Sequence, residues 1–208
     1  MFFDFHHHHP FYKYGIYNLP LFEEPTEFPY SAGIHPQHIV EHDSSSIWDW
    51  LHKVSANDNC YAIGECGLDG LISTPKEMQI EIFVQQIKLA NELKKPLIIH
   101  CVRMFSEIIS FRKKSIKPMV IHGFNKKQKI AEDLIQHNFY LSVGKAVLYN
   151  LSLQKTLESV PLNRLFIETD DADIAIEDIY EKISFIKKIP ISILQDVILE
   201  NLEDIKNG

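Results

Sequence analysis

Residues 6–9 are four consecutive histidines following the strand-like run MFFDF. In an extended chain, residues i and i+2 point to the same side, so His6 and His8 can reach one metal ion while His7 and His9 face away. A purification tag would give the same letters, but tags are usually longer and set in glycine and serine, whereas this run is closed by Pro10. Four further groups end short apolar runs in the same manner: Glu65 after Ile63-Gly64, His100 after Pro96–Ile99, His122 after Met119–Ile121, and Asp170 shortly after Leu165–Ile167. Each alone has an ordinary explanation, a surface acid or a satisfied core histidine. Together they place four imidazoles and two carboxylates at five strand ends. That set suits two divalent ions, with imidazole for a borderline metal and a carboxylate able to bridge. Two ions about 4 Å apart can acidify a water and clamp a phosphoryl or carbonyl oxygen, which is hydrolytic chemistry.

The elements that must position these groups alternate. Strand-like runs cover Met1–Phe5, Tyr30–Ile34, Tyr61–Gly64, Pro96–Ile99, Met119–Ile121, Phe139–Val143 and Leu165–Ile167. Helical patterns lie between many of them. Thr74-Pro75-Lys76-Glu77 reads as a capping box, and Ile80, Phe83, Val84 and Ile87 then trace one face towards Leu93. Residues 126–137, 177–188 and 190–206 have similar periodicity. Repeated β–α units imply a barrel or a doubly wound sheet. Chemistry-bearing residues at the C-terminal ends of many different strands favour the barrel, where those ends converge on one mouth. The expected architecture is therefore a TIM-like (β/α) barrel of seven parallel strands, one short of the full eight, in a single domain over residues 1–208.

The chain has 208 residues, 45% hydrophobic and 24% charged, as expected of a globular protein with a buried core. No apolar run approaches the roughly 18–20 residues a membrane span needs. No secretory signal is legible, and three widely spaced cysteines without a CxxC fit a reducing compartment, so a cytoplasmic location is expected. The net charge of −7 is unevenly spread. Residues 1–75 hold ten acids and two bases, whereas residues 102–130 hold eight bases against the single acid Glu107. Such a basic segment either is a solvated surface or attracts a phosphate chain.

In its motifs the chain resembles the TatD family of metal-dependent hydrolases, relatives of the amidohydrolases. The matching stretches are DFHHHH (4–9), SAGIHP (31–36), AIGECGLD (62–69), the segment from Gln79 to Arg103 ending IIHCVR, VIHGF (120–124), YLSVGKAVL (140–148) and LFIETDDAD (165–173). Asn201 stands in the place of the family's late asparagine. The resemblance implies a (β/α) barrel with a metal centre at its mouth and nuclease activity on DNA, often 3′→5′, on single strands or 3′ ends; some relatives deacylate D-aminoacyl-tRNA. It implies His6, His8, Glu65, His100, His122 and Asp170 as ligands of two divalent ions (Zn, Mg or Mn), with Glu65 shared between them. It places His35 of GIHP near the metals and substrate. The chain departs from the family between HHHH and GIHP, where the stretch from Pro10 to Ile34 is short; Tyr12–Pro29 is expected to be a loop replacing a β–α unit. The family's proline soon after ETD is also absent.

The expected mechanism is attack of a metal-activated water on phosphorus, with Asp170 accepting the proton and Arg103 gripping a phosphate, helped by Lys126 and Lys127. Cys66 and Cys101 read as small packing residues, and Asp4 and Glu168 as groups that hold a ligand's second nitrogen. The alternative is a metal-dependent amidase or esterase acting on a small molecule or an aminoacyl-tRNA. No membrane or obligate protein partner is expected.

Overall fold

The computed structural model describes residues 1–39 and 44–207. Among them are eight strands: β1 (Asp4–His7), β2 (Gly15–Asn18), β3 (Tyr30–Ala32), β4 (Cys60–Asp69), β5 (Leu97–Val102), β6 (Met119–Ile121), β7 (Phe139–Val143) and β8 (Leu165–Ile167). They lie side by side in chain order, each parallel to the next. The ring closes between β8 and β1: Asp170 N–H donates to the His6 carbonyl at 2.9 Å and His8 N–H donates to the Asp170 carbonyl at 3.1 Å. The fold is an eight-stranded α/β barrel.

The expected count of seven strands is therefore corrected to eight. The additional strand, β2, lies inside the stretch expected to be a loop. It pairs with β1 (Asp4 opposite Gly15) and with β3 (Tyr17 opposite Tyr30). What the chain lacks on this side is helices, not a strand: no helix occurs in residues 8–14 or 19–29. Parallel strands usually need a crossover of about a dozen residues or more. Seven extended residues nevertheless reach roughly 23–25 Å, enough to return alongside a four-residue strand. Aromatic side chains from these connections cover the gap. Tyr12 packs edge-on to His7 and donates its hydroxyl to the Phe2 carbonyl. Lys13 lies over the Phe28 ring, and Trp50 donates to the Glu23 carbonyl. Ile16 is fully buried beneath them.

The other connections carry helices α1 (Ser44–Ser55), α2 (Lys76–Leu93), α3 (Phe105–Phe111), α4 (Gln128–Gln136), α5 (Ala146–Tyr149), α6 (Leu151–Ser159), α7 (Ile176–Lys187) and α8 (Ile191–Asn207). Strands enclosed on both faces need no alternation, so β6 (Met-Val-Ile) and β8 (Leu-Phe-Ile) are apolar throughout and buried throughout. The capping box at Thr74 does not form. Thr74 donates its hydroxyl to the Pro36 carbonyl, and Pro75 sits at the cap position of α2 with no side-chain cap.

Two buried amides on helices brace loops that matter below. Gln86 of α2 accepts from Ile34 N–H at 2.7 Å and donates to the Ile34 carbonyl at 3.0 Å, fixing the backbone next to His35. Asn201 of α8 donates to the carbonyls of Leu162 and Leu165, holding the start of β8.

Candidate metal centre

Seven chemistry-bearing side chains converge at the C-terminal mouth. Glu65 is the hub. Its Oε1 lies 2.7 Å from His122 Nε2, 3.0 Å from His100 Nδ1 and 3.5 Å from His35 Nε2, while its Oε2 lies 3.7 Å from His6 Nε2. Asp170 forms the opposite wall, with Oδ1 3.7 Å from His6 Nε2 and 3.5 Å from His8 Nε2. Three overlapping sets, His6–His8–Glu65, His6–His122–Asp170 and His35–Glu65–His100, each bring their donor atoms within 4.8 Å of one another.

Local backbone explains how these groups meet. Asp170 has φ of 57°, in the left-handed region that Asp tolerates better than most residues. That turn lets its peptide clasp β1 while its carboxylate faces His6 and His8. Gly64 sits where a Cβ would lie 2.5 Å from the Ile98 carbonyl, so glycine is required for β4 to pass β5 closely at the hub. Asp4 accepts from both the amide and the hydroxyl of Thr169 and so ties the base of β1 to β8. It does not hold a ligand's second nitrogen, as the sequence reading expects. Glu168 does face His122, its Oε1 3.7 Å from Nδ1, and it accepts the Gly123 amide.

The electrostatics follow from packing acids and imidazoles out of water. Burial would raise the Glu65 carboxyl, but His122, His100 and His6 outweigh it and hold the group well below the usual range. Burial likewise opposes charge on His122, yet Glu65 and Glu168 push it well above the usual imidazole value. His35 behaves oppositely: burial brings it down to about 4. The cysteines beside the cluster are protonated thiols, Cys101 being pushed up to about 12 by burial and Cys66 further still.

The donor set fits divalent cations. Donor atoms about 2.1 Å from a shared ion lie roughly 3.0–3.5 Å apart, close to the spacings seen here. His6 supplies the sharper observation. Its ring is fully buried, faces two carboxylates, and neither Nδ1 nor Nε2 has a hydrogen-bond partner. Buried polar atoms are rarely left so. A cation between His6, Glu65 and Asp170 would satisfy Nε2.

Arg103 stands apart. It is exposed at the turn after β5, with φ of 57°, and makes no hydrogen bond or ion pair with the cluster. The basic segment is also divided: Arg112, Lys113, Lys114 and Lys117 precede β6 at the far end of the barrel, whereas Lys126, Lys127 and Lys129 follow it at the mouth.

Two contributors are absent from the sequence reading. Asp69 Oδ2 lies 3.1 Å from His100 Nε2, leaving Nδ1 towards Glu65. Asn18 at the end of β2 lies 3.5 Å from Glu65 Oε2 and 3.4 Å from His8 Nε2, and accepts from the Glu65 amide at 3.3 Å. The signals existed: Asp69 is four residues after Glu65, on the same side of an extended strand, and Gly15-Ile16-Tyr17 leads into Asn18 as the other runs lead into their ligands.

The fold and the cluster define a (β/α) barrel with an imidazole–carboxylate centre at its C-terminal mouth. The family described as TatD related DNase matches residues 18–206, and the chain belongs to the TatD family. It is 32% identical over 154 residues to the uncharacterized metal-dependent hydrolase YabD of Bacillus subtilis, covering 71% of this chain and 60% of that protein. It is 28% identical over 201 residues to the uncharacterized metal-dependent hydrolase YcfH of Escherichia coli, covering 87% and 74%. It is 31% identical over 147 residues to the human 3′-5′ RNA nuclease TATDN2, covering 66% of this chain and 19% of that protein. Among solved structures, YJJV, a TatD homolog from Escherichia coli K12, superimposes with a TM-score of 0.76 at 21% identity, covering 87% of this chain and 77% of the other. The chain spans 54–64% of the length of the first curated relatives it matches. Among the described residues, no helix is long and apolar enough to cross a membrane.

Proposed function

We propose that the protein is a divalent-metal-dependent hydrolase that cleaves phosphodiester bonds of DNA, working from 3′ ends with water as the attacking group. The observation that carries this reading is the convergence of His6, His8, Glu65, His100, His122 and Asp170 around the unpartnered, fully buried imidazole of His6. His6, His8 and Asp170 would hold one ion, His100 and His122 the other, and Glu65 would touch both. When bound, two such ions supply Lewis acidity towards a phosphoryl oxygen and a water acidified towards neutral pH.

The chain's own residues do the rest. Asp170 is half-exposed at the mouth, and its carboxylate is held below the usual range by His8 and the neighbouring imidazoles against the effect of burial. It accepts the attacking water's proton. Asp69 holds the His100 ring from behind at 3.1 Å, and the Glu168 carboxylate, 3.7 Å from Nδ1, draws the back of the His122 ring electrostatically, so both imidazoles face the hub. His35, uncharged at neutral pH, stands beside Glu65 and His100 and contacts the substrate side. Arg103, free at the rim, grips a phosphate without competing for the centre.

Family membership and the human relative's printed name support a nucleic acid substrate; that name also favours a second reading in which the cleaved strand is RNA. A metal-dependent amidase or esterase is the remaining alternative. Metal-supplemented protein incubated with end-labelled single-stranded DNA and RNA, with and without chelator, distinguishes them. Chelator-sensitive shortening from the 3′ end of DNA is expected. Cleavage of neither strand, with turnover of an aminoacyl or acyl ester, would overturn the proposal.

A further inference from the structure

Two cavities meet at Asn125. The first, about 140 Å³, runs from Asp170 of the metal cluster past Gly144 and Lys145 to Asn125. The second, about 510 Å³, continues from Asn125 between the start of α4 and the α5–α6 junction, lined by Lys126, Lys127, Lys129, Asn150 and Ser152. None of these three lysines makes an ion pair among the described residues, and no acid lines the second cavity. Lys145, by contrast, faces Asp171 at 3.7 Å. Asn150 donates to the Asn125 side chain at 2.7 Å, which ties two of the lining residues together. Tyr149 and Leu151 flank Asn150, exposed at 78% and 76%, although large apolar side chains ordinarily gain by burial.

A lysine-rimmed groove that meets, at Asn125, a cavity reaching the metal cluster, and that has an exposed tyrosine next in sequence to its lining residue Asn150, offers the two components of single-strand recognition: cations for the phosphates and a flat face for a base. We infer that the groove bounded by Lys126, Lys127, Lys129 and Asn150 is the track along which a single-stranded nucleic acid leaves the metal centre, with Tyr149 stacking on one of its bases. The inference rests on the phosphodiesterase reading and adds to it the path of the uncleaved strand. A membrane surface is the less suited polyanion, because a concave groove presents its lysines to a chain and not to a plane.

The test uses fluorescence anisotropy of the full chain, metal-supplemented, with a hydrolysis-resistant phosphorothioate strand of roughly a dozen nucleotides. Each phosphate contact on a single strand contributes a salt slope of about 0.7, so the K126A/K127A/K129A variant should flatten log Kd against log salt by about 2. Tyr149→Ala should weaken binding by about 5- to 150-fold with the slope unchanged, since stacking carries no counterion release. K113A/K114A, at the far end of the barrel, should match the parent. An unchanged slope in the triple variant, or an equal change in K113A/K114A, overturns the track. Equal binding of the parent and the triple variant to anionic phosphatidylserine vesicles is expected; loss confined to vesicles overturns it too. Turnover of bis-p-nitrophenyl phosphate by the parent reports the phosphodiesterase reading separately, so either can fail alone.

Discussion

Replacing Glu168 by glutamine removes a charge without removing a hydrogen-bond acceptor. The side chain is fully buried; Oε1 accepts the Gly123 amide and lies 3.7 Å from His122 Nδ1. Glutamine's Oε1 can keep the Gly123 contact, so the loop after β6 should hold. The attraction that orients the His122 ring and raises its basicity is lost. Groups in this supporting role typically contribute 10- to 100-fold in metal affinity, or about 1.4–2.7 kcal/mol. Glu168→Ala should add a second cost, because the buried Gly123 amide loses its acceptor at about 1–3 kcal/mol. For a chain of this length that lowers Tm by roughly 2–4 °C per kcal/mol. Competition with a chromophoric chelator reads the affinity, and scanning calorimetry of the metal-free protein reads the fold. The reasoning requires the glutamine variant to lose affinity while melting near the parent. If it binds metal as tightly as the parent, and only the alanine variant changes by melting early, Glu168 is a loop brace and nothing more.

Asp170→Asn should fold and retain most metal but lose hydrolysis by about 10²- to 10⁴-fold, the usual worth of a positioned proton acceptor; near-parental turnover would remove that role. Saturating divalent metal at about a hundred times its Kd should stabilise the folded chain by about 2.7 kcal/mol, a rise of roughly 5–11 °C at the expected 2–4 °C per kcal/mol. A Tm indifferent to both metal and chelator would dissolve the ligand set. Gln86→Leu deprives the Ile34 amide and carbonyl of their buried partners, at about 1–3 kcal/mol each. It should lower Tm and disturb turnover more than metal content, measured by elemental analysis, because His35 is the group displaced.

The strand ends were readable because a (β/α) barrel writes its site in a simple form: a short apolar run, then a polar residue. His6, Glu65, His100 and His122 obey it. Asp170 lies three residues beyond β8 and reaches the cluster through a left-handed turn that no periodicity announces. β2 obeys the rule too, but Gly15–Asn18 is short and embedded in aromatic, proline-bearing sequence that resembles a loop. Losing β2 hid Asn18. The sequence pattern delimits β4 as Tyr61–Gly64, because glycines at 64 and 67 look like terminators; in the fold they permit close strand approach, and the strand continues to Asp69. Thr74-Pro75-Lys76-Glu77 has the letters of a capping box, yet the nearby Pro36 carbonyl competes successfully for the threonine hydroxyl. The common cause is tertiary: in each case a partner far along the chain decided what local pattern could not.

The stitch between β8 and β1 has a bearing on how the molecule is made. Asp170 grips His6 and His8 from far along the chain, so those histidines emerge from the ribosome long before their counterpart. Until β8 is synthesised, the first strand has one open edge and both imidazoles lack the Asp170 carboxylate. Contacts of such sequence separation form late and slowly. The seam and the cluster of imidazoles and carboxylates are thus completed together.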